Sequence, residues 1–568
     1  MCSATASSYS SLRTETPALA DVQPGRPENP AKVARGGVSA LAAALVAMLV
    51  FAPSLTNGFA YDDEAVVLGD PRIQSLDGLP QILSNGYWAD ATLALYRPFT
   101  TLSFALDWSI APASAAWFHF VNVLLHGATA ALLVLLLARL TSEAAALAGG
   151  LVFAVHPVHV EAVANVVGRS EMLAAIGVLG AALAWVALPT SGRAAIVRSM
   201  AVPIAFAFGV FSKESAIVLP ALLALIDIAR GSLNLVRPWP WIRSNAAALT
   251  AIVLVAGAYL AARLAVLGGI APTRVDAVFD VAAGGSARIL TALQAWTVWA
   301  GLLFAPATLL SDYGPRILMP VGAVTPQVAA GGAIALTLLV SGLVAAFRGR
   351  GLAALALLWF PVSILPVSNL LFPTGVIVAE RTLYLPSAAL SIGVAVVATH
   401  FARVGLRPRL RTVAFALLLV AFAVRSSVRI PAWESTDTIF DALVSDRPDA
   451  FRGQWYIARQ ARERGQAEEA MRRYELALSL WPWRQNLVSE AAVYSGEVGG
   501  PQRTQELSRW AVSLDPTDLN AIRVLAGTAL DLGDTATART AIKDGLAIAP
   551  DDDVLRQMAA AIGIRDEG

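Results

Sequence analysis

The chain has 568 residues, of which 56% are hydrophobic and 15% charged, with a mean hydropathy of +0.61. That balance excludes an ordinary soluble globular protein and predicts a polytopic membrane protein. With 42 Lys and Arg against 41 Asp and Glu, and no basic block, nucleic acid is not an expected partner. The single cysteine, Cys2, rules out an intrachain disulfide, a CxxC redox pair and a thiolate zinc site together.

Residues 1–35 are polar and rich in Ser, Pro and Thr, and are expected to form a disordered cytoplasmic tail. The apolar run after Arg35 is about twenty residues long, with no AxA-like cleavage site at its end, and reads as an uncleaved first span. Further candidate spans lie at 117–138, 144–160, 171–188, 197–212, 215–230, 243–264, 326–346, 352–370, 384–402 and 410–426, after the first at 38–57. The short connections alternate in basic content, which sets orientation. Lys32 and Arg35, Arg139, Arg193 and Arg198, the Arg230–Arg237–Arg243 group, Arg348 and Arg350, and Arg403, Arg407, Arg409 and Arg411 share one side if there are eleven spans.

Residues 287–306, "ARILTALQAWTVWAGLLFAP", are apolar enough for a further crossing, but counting them puts the later basic loops on the wrong face. They are therefore expected as an interfacial or partly inserted outer helix, with Trp296 and Trp299 in an aromatic belt. The odd total places Asp62 and the C-terminal region outside. The chain thus divides into the tail, a membrane domain over 36–430 with outer loops 58–116 and 265–325, and an extracytoplasmic domain over 431–568.

From about 431 the composition becomes that of a soluble protein and a period appears. Pro448, Pro482, Pro516 and Pro550 stand 34 apart, as do Ala458, Ala492 and Ala526, and Gly465, Gly499 and Gly533. This is the spacing of tetratricopeptide (TPR) helix pairs, best matched by "RERGQAEEAMRRYELALSLWP". About three units would make a short α-solenoid able to hold a peptide around Trp455, Tyr456 and Arg459, or a plain stabilising domain.

Ionisable residues gather on the expected outer side. They comprise Asp62, Asp63 and Glu64; Arg97; His156, His159, Glu161, Arg169 and Glu171; Lys213 and Glu214; Asp312 and Tyr313; and Asn369, Glu380, Arg381 and Tyr384. A site for an anionic lipid-linked substrate and a hydroxyl nucleophile needs this mixture, a carboxylate for the proton and cations for phosphate. Plainer readings stand beside it. Asp62 and Asp63 would serve as a helix cap, Arg97 and Lys213 as interfacial snorkelers, and Glu380–Arg381 as an internal ion pair. His156, His159 and Glu161 have neither HExxH spacing nor its inverse, and fit hydrogen bonding better than a metal site.

Taken in order, "FAYDDEAVVLGDPRI", "YRPFTTLSFALDW", "WFHFVNVLLHGATAALLV", "VFAVHPVHVEAVANVVGRSEMLA", "FSKESAIVLPALLALID", "PATLLSDY" and "NLLFPTGVIVAERTLYLPS" resemble the transmembrane and tetratricopeptide repeat containing O-mannosyltransferases, in the C-type superfamily of integral-membrane glycosyltransferases. The resemblance runs from about residue 38 to the end. It implies an all-α fold, a bundle of about eleven spans followed by the TPR solenoid, and it places the family's acidic pair on Asp62 and Asp63. One of these carboxylates would then align or deprotonate an acceptor hydroxyl. Arg97 and Arg381 first, then Arg169 and Lys213, would hold the donor phosphate. His156, His159, Glu161, Glu214, Asp312, Tyr313, Glu380 and Tyr384 would bind substrate or support the site.

The donor implied is a polyprenyl-phosphate sugar, with mannose carried by the resemblance alone, and transfer would proceed by inversion onto Ser or Thr of an extracytoplasmic protein. Such a donor brings its own leaving group, so no nucleotide loop is expected. No cofactor is required by the residues, although a divalent cation could accompany the phosphate at the acidic loop. The Ala- and Gly-rich composition points to a bacterial plasma membrane. Two rival readings are transfer to a lipid or envelope glycan, and a non-catalytic membrane anchor for the repeats.

Overall fold

A computed structural model describes residues 30–88, 95–269, 277–279, 284–404 and 408–563. The expected tail lies outside the described residues up to residue 29, and its last six residues instead begin helix Pro30–Phe51; Arg407 and parts of both expected outer loops also lie outside the described residues. All regular elements among the described residues are helical. Among the described residues nine helices are long and apolar enough to cross a membrane, or ten if one bent pair is a single span. The chain is thus a multi-pass helical membrane protein.

The match to the eleven predicted spans is not one to one. Predicted span 144–160 is the bent pair Glu143–Val155 and Pro157–Ala164, with an angle of 51° between its halves. Pro157 lacks the amide that would continue the first half, and the Nδ1 of His156 accepts the N–H of Val158 at 3.2 Å to start the second. Predicted span 215–230 becomes a 3₁₀ turn, Glu214–Val218, and an 11-residue helix, Leu219–Ala229. Predicted span 352–370 corresponds to the shorter apolar helix Gly351–Val367.

Helix Gly285–Phe304, set aside by the parity of the basic loops, is long and apolar enough to cross and packs along Pro326–Phe347. Their axes come so close that a Cβ on Gly331 would lie 1.9 Å from the carbonyl oxygen of Leu293. The expected aromatic belt is corrected here. Trp296 and Trp299 are only 4% and 1% exposed, and both indoles pack edge-on against Phe360, at 5.6 and 6.1 Å between ring centroids. The indoles fill the space between neighbouring helices instead of facing an interface.

Small residues set the bundle's closest crossings. Gly177 on helix Arg169–Ala187 meets Gly209 on Gly192–Ser212, where a Cβ would fall 2.5 Å from the Gly209 Cα. Without a hydrophobic drive between helices in lipid, such close backbone approach is a main source of packing energy. The described residues between Asn57 and Ser114 form short turns, a short helix Leu79–Ser84 and helix Pro98–Ile110, which packs against the bundle. Val66, Val67, Ile73, Ile82 and Phe104 are buried there with Phe118 and Val166. Asp70 fixes the turn by pairing with Arg72 at 2.6 Å, and Arg72 also donates to the carbonyl of Gly86 at 2.7 Å.

After the last long helix, Thr436–Asp446 leads into three helix pairs. The pairs are Phe451–Glu463 with Ala467–Leu480, Gln485–Val498 with Pro501–Leu514, and Leu519–Asp531 with Thr535–Ile548, followed by Asp553–Ala561. First helices begin at 451, 485, 519 and 553, so the 34-residue period of the sequence is the step of the stack. Ala458, Ala492 and Ala526 are fully buried where the helices meet. Gly465, Gly499 and Gly533 take φ of +71°, +91° and +74° in the turns within each pair, a conformation that a Cβ would strain.

Candidate active site

Helix breaks at one end of the bundle bring the charged residues together. Between Ala164 and Arg169 the chain leaves α-helical geometry, with Asn165 extended before a 3₁₀ turn at Val166–Gly168, and exposes backbone donors. Asp63 takes them. Its buried carboxylate accepts the Val167 N–H at 2.8 Å on Oδ1, and those of Val166 and Ala60 at 3.1 and 3.3 Å on Oδ2. Burial pushes this carboxyl up to about 7, against three amide donors that favour the charged form.

Its neighbour points elsewhere. The Asp62 side chain is 21% exposed, and its Oδ2 lies 3.6 Å from Nη2 of Arg381. Arg381 is held from behind by the buried Glu161, through Nη1 at 2.6 Å and its own backbone N–H at 2.9 Å. Burial raises the Asp62 carboxyl above its ordinary value, while the charges of Arg381 and then Arg97 pull it back.

Arg97 forms the second edge. Its Nε and Nη2 donate to the two carboxylate oxygens of Glu214 at 3.0 and 2.6 Å, and its guanidinium lies 5.3 Å from the centre of the Tyr87 ring. Burial would raise Glu214, but the Arg97 charge and hydrogen bond, with help from Lys213, hold it at about 2. Lys213 is ion-paired with Glu171, both nearly buried, and desolvation pulls its ammonium below the ordinary value despite that partner. Three cations, Arg97, Lys213 and Arg381, therefore stand among four carboxylates, Asp62, Glu161, Glu171 and Glu214.

The other predicted residues lie apart from this group. Arg169 is wholly buried between the Phe104 and Phe118 rings; it is ion-paired with Asp107 and donates to Asn122 at 2.8 Å and to the Phe118 carbonyl at 3.0 Å. His156 bonds through Nε2 with the Leu303 carbonyl at 3.0 Å, and His159 with Ser387 at 2.8 Å. Tyr384 is also buried, its hydroxyl 2.8 Å from Nδ1 of His126. Tyr313 donates to Glu380 at 2.6 Å, and Asp312 is ion-paired with Arg452 of the first repeat helix. Glu161 is bonded to Arg381 and not to the histidines. Among the described residues no group of three His, Cys, Asp or Glu side chains could hold a metal ion.

Sequence reasoning placed Glu171 in the charged cluster without an individual role, and did not single out Asp107, Tyr87 or His126. The first two stand inside the quoted motifs "VFAVHPVHVEAVANVVGRSEMLA" and "YRPFTTLSFALDW", where a carboxylate among apolar residues signals a buried cation nearby. Tyr87 and His126 carried no comparable signal. The group as placed offers a partly exposed carboxylate beside guanidinium groups, an arrangement that can accept a proton and bind an oxyanion side by side.

No protein-family model matches the chain. It is 25% identical over 455 residues to protein O-mannosyl-transferase F38B6.6 of Caenorhabditis elegans, covering 77% of this chain and 62% of that protein. It is 26% identical over 491 residues to protein O-mannosyl-transferase TMTC4 of Mus musculus, covering 76% and 65% respectively. A shorter match, 33% identical over 197 residues, is to Tmtc2 of Drosophila melanogaster and covers 33% of this chain and 21% of that protein. The chain thus spans somewhat less than two thirds of the length of the first two relatives. Among solved structures, an Archaeoglobus fulgidus oligosaccharyltransferase tethered with an acceptor peptide aligns with a TM-score of 0.36 and 13% identity, over 76% of this chain and 58% of that one. That likeness is too loose to carry an argument. By sequence, the chain is similar over about three quarters of its length to proteins named protein O-mannosyl-transferases.

Proposed function

We propose that this protein is a C-type membrane glycosyltransferase that moves a sugar from a polyprenyl-phosphate donor to a Ser or Thr hydroxyl of an extracytoplasmic protein, with inversion at the anomeric carbon. The observation that carries the reading is the division of labour within the acidic pair. Asp63 has both oxygens occupied by backbone amides, whereas Asp62 is partly exposed next to Arg381. Asp62 is therefore the base and Asp63 its anchor. Mannose is the sugar that the names of the relatives favour.

In the step proposed, the acceptor oxygen attacks the anomeric carbon while its proton passes to Asp62. The bond from that carbon to the phosphate oxygen breaks, and the lipid phosphate leaves with one more negative charge. Arg381 and Arg97 offset that charge, with Lys213 behind them. Held ready by Glu161 and Glu214, the two guanidinium groups need little reorganisation when the charge develops. Arg169, closed in by Asp107 and two phenyl rings, supports the fold of the loop. A divalent cation, if one takes part, would arrive with the phosphate and meet Asp62.

The helix pairs after residue 450 are read as TPR units that offer a groove to the acceptor protein. Arg459, Asn486, Glu490, Asp518 and Asn520 line a concavity of about 410 Å³ there. The alternation of basic loops supports a cytoplasmic N-terminus with the site and the repeats outside, and the Ala- and Gly-rich composition supports a bacterial plasma membrane.

Transfer of radiolabel from polyprenyl-phosphate mannose tests the reading, using purified protein in native-lipid nanodiscs and its own membrane and secreted proteins as acceptors. Label should enter protein with the wild type and fall by about 100-fold or more in Asp62→Ala. Label found only in lipid extracts would move the acceptor to a lipid or envelope glycan. No transfer from any lipid-phosphate sugar by folded protein would leave a membrane scaffold.

A further inference from the structure

The turn that carries Asp62 is fastened from outside the membrane bundle. Tyr61 has a φ of +56°, a left-handed conformation that a residue with a Cβ keeps only where its surroundings impose it. The imposing group is 375 residues away: the Tyr61 N–H donates to Oγ1 of Thr436 at 2.7 Å. The same hydroxyl donates to the carboxylate of Glu64. One side chain thus holds the chain on both sides of Asp62.

Thr436 is itself fixed. It opens helix Thr436–Asp446, whose N-cap Ser435 exchanges hydrogen bonds with Thr438 in a capping box. One turn on, Phe440 meets the Tyr61 ring edge-on at 5.6 Å and stacks on Tyr456 of the first repeat helix at 4.1 Å. The Tyr456 hydroxyl closes the arrangement by donating to Asp437 at 2.9 Å. Below the turn, the Gly58 N–H donates to the Glu434 carbonyl at 2.9 Å and Asn57 to that of Ile430 at 3.3 Å.

We infer that Thr436, backed by the Phe440–Tyr456 stack, is a positioning residue that holds the left-handed turn at Tyr61 and so aims the Asp62 carboxylate from the soluble domain. This rests on the reading of Asp62 as the base. A tether alone would need only a covalent connection. Here the first helices of the soluble domain complete the geometry of a loop near the other end of the chain.

Thr436→Val keeps the shape and removes the hydroxyl, and Thr436→Ser keeps the hydroxyl. In the full chain in nanodiscs, with polyprenyl-phosphate mannose and a synthetic Ser/Thr-rich peptide, the Val form should lose about tenfold in kcat with acceptor KM within about twofold. The Ser form should stay within about twofold of wild type in both. Hydrogen exchange without substrate should show residues 58–64 exchanging faster in the Val form and at the wild-type rate in the Ser form. Phe440→Leu should lower kcat about threefold in the same direction, guarding against a folding defect peculiar to one variant.

Equal loss in the Val and Ser forms, or unchanged exchange in the Val form, overturns the inference. Full transfer by Asp62→Ala overturns the base assignment and with it the catalytic half of the inference. The exchange rates, read without substrate, still separate that failure from a failure of the brace.

Discussion

Arg97 and Glu214, 117 positions apart in the chain, meet as a two-point pair with both carboxylate oxygens engaged, and the pair joins the first loop to a helix break in the bundle. A bidentate contact depends on the planar fork of arginine, which lysine does not reproduce. Arg97→Lys should therefore raise the donor KM by about tenfold or more. Arg97→Ala should in addition lower stability by about 1–2 kcal/mol, because it leaves the half-buried Glu214 carboxylate without its fork and only partly hydrated. Removing both partners should restore most of the stability and none of the turnover. Thermal unfolding and donor titration of the two single variants and the double one check this. Recovery of turnover in the double variant would show that the pair serves the fold alone.

Asp63 links the site to pH. Its folded-state carboxyl is raised to about 7 by burial, against an ordinary value near 4. Between those values the unfolded chain has released the proton and the folded chain still holds it. The unfolded state then binds fewer protons, so stability falls as pH rises through that window and levels off above about 7. Asp63→Asn cannot titrate and should lack this slope while keeping one acceptor for the loop amides. The difference in melting temperature between wild type and Asp63→Asn, measured from pH 4 to 8, should therefore change sign or narrow in that direction. A flat difference would mean that the three amide donors keep Asp63 ionised throughout.

The charged cluster was legible because charged residues inside apolar sequence mark functional or paired positions, and Arg97, Lys213, Glu214, Glu161 and Arg381 do meet. The different surroundings of Asp62 and Asp63 were not legible, since they depend on amides freed 103 and 104 residues later. Tyr384, His156 and His159 sit in the same motifs yet turn inward, because a motif fixes neighbours along the chain and not the direction of a side chain. Tyr313 and Glu380, expected separately, proved to be partners. The 34-residue period mapped directly onto helix starts because buried Ala and turn Gly are local requirements of each pair. The tryptophans at 296 and 299 were misplaced for a physical reason. An indole on an apolar helix suits a headgroup layer and a helix contact equally, and only the position of Phe360 decides.

The acidic loop makes a metal requirement easy to suspect, but the carboxylates are distributed among cations. Asp62 has Arg381, Glu161 has Arg381, Glu171 has Lys213 and Glu214 has Arg97. A divalent ion binding there would have to displace a guanidinium or the Lys213 ammonium. Chelation with EDTA is therefore expected to change turnover by less than about twofold, with the arginines carrying the phosphate charge. Complete loss on chelation, restored by magnesium or manganese, would show that the donor phosphate brings a cation into the loop.

Gly168 offers the sharpest test of how the fold makes the site. A Cβ there would stand 2.3 Å from the Ala162 carbonyl oxygen and 2.7 Å from its carbon and Cα, all backbone atoms that cannot step aside without moving the helix break. The break presents the Val166 and Val167 amides to Asp63, and Asp63 holds the turn that displays Asp62. Gly168→Ala touches no charged group, yet it should lower transfer by about 10-fold or more by shifting the anchor of that turn. Gly180 is the control: a Cβ there meets nothing within 4 Å, so Gly180→Ala should fold and turn over as the wild type does. Equal activity of the two alanine forms would mean that the break can move without carrying Asp62 with it, and that the aim of the carboxylate is set from the Thr436 side alone.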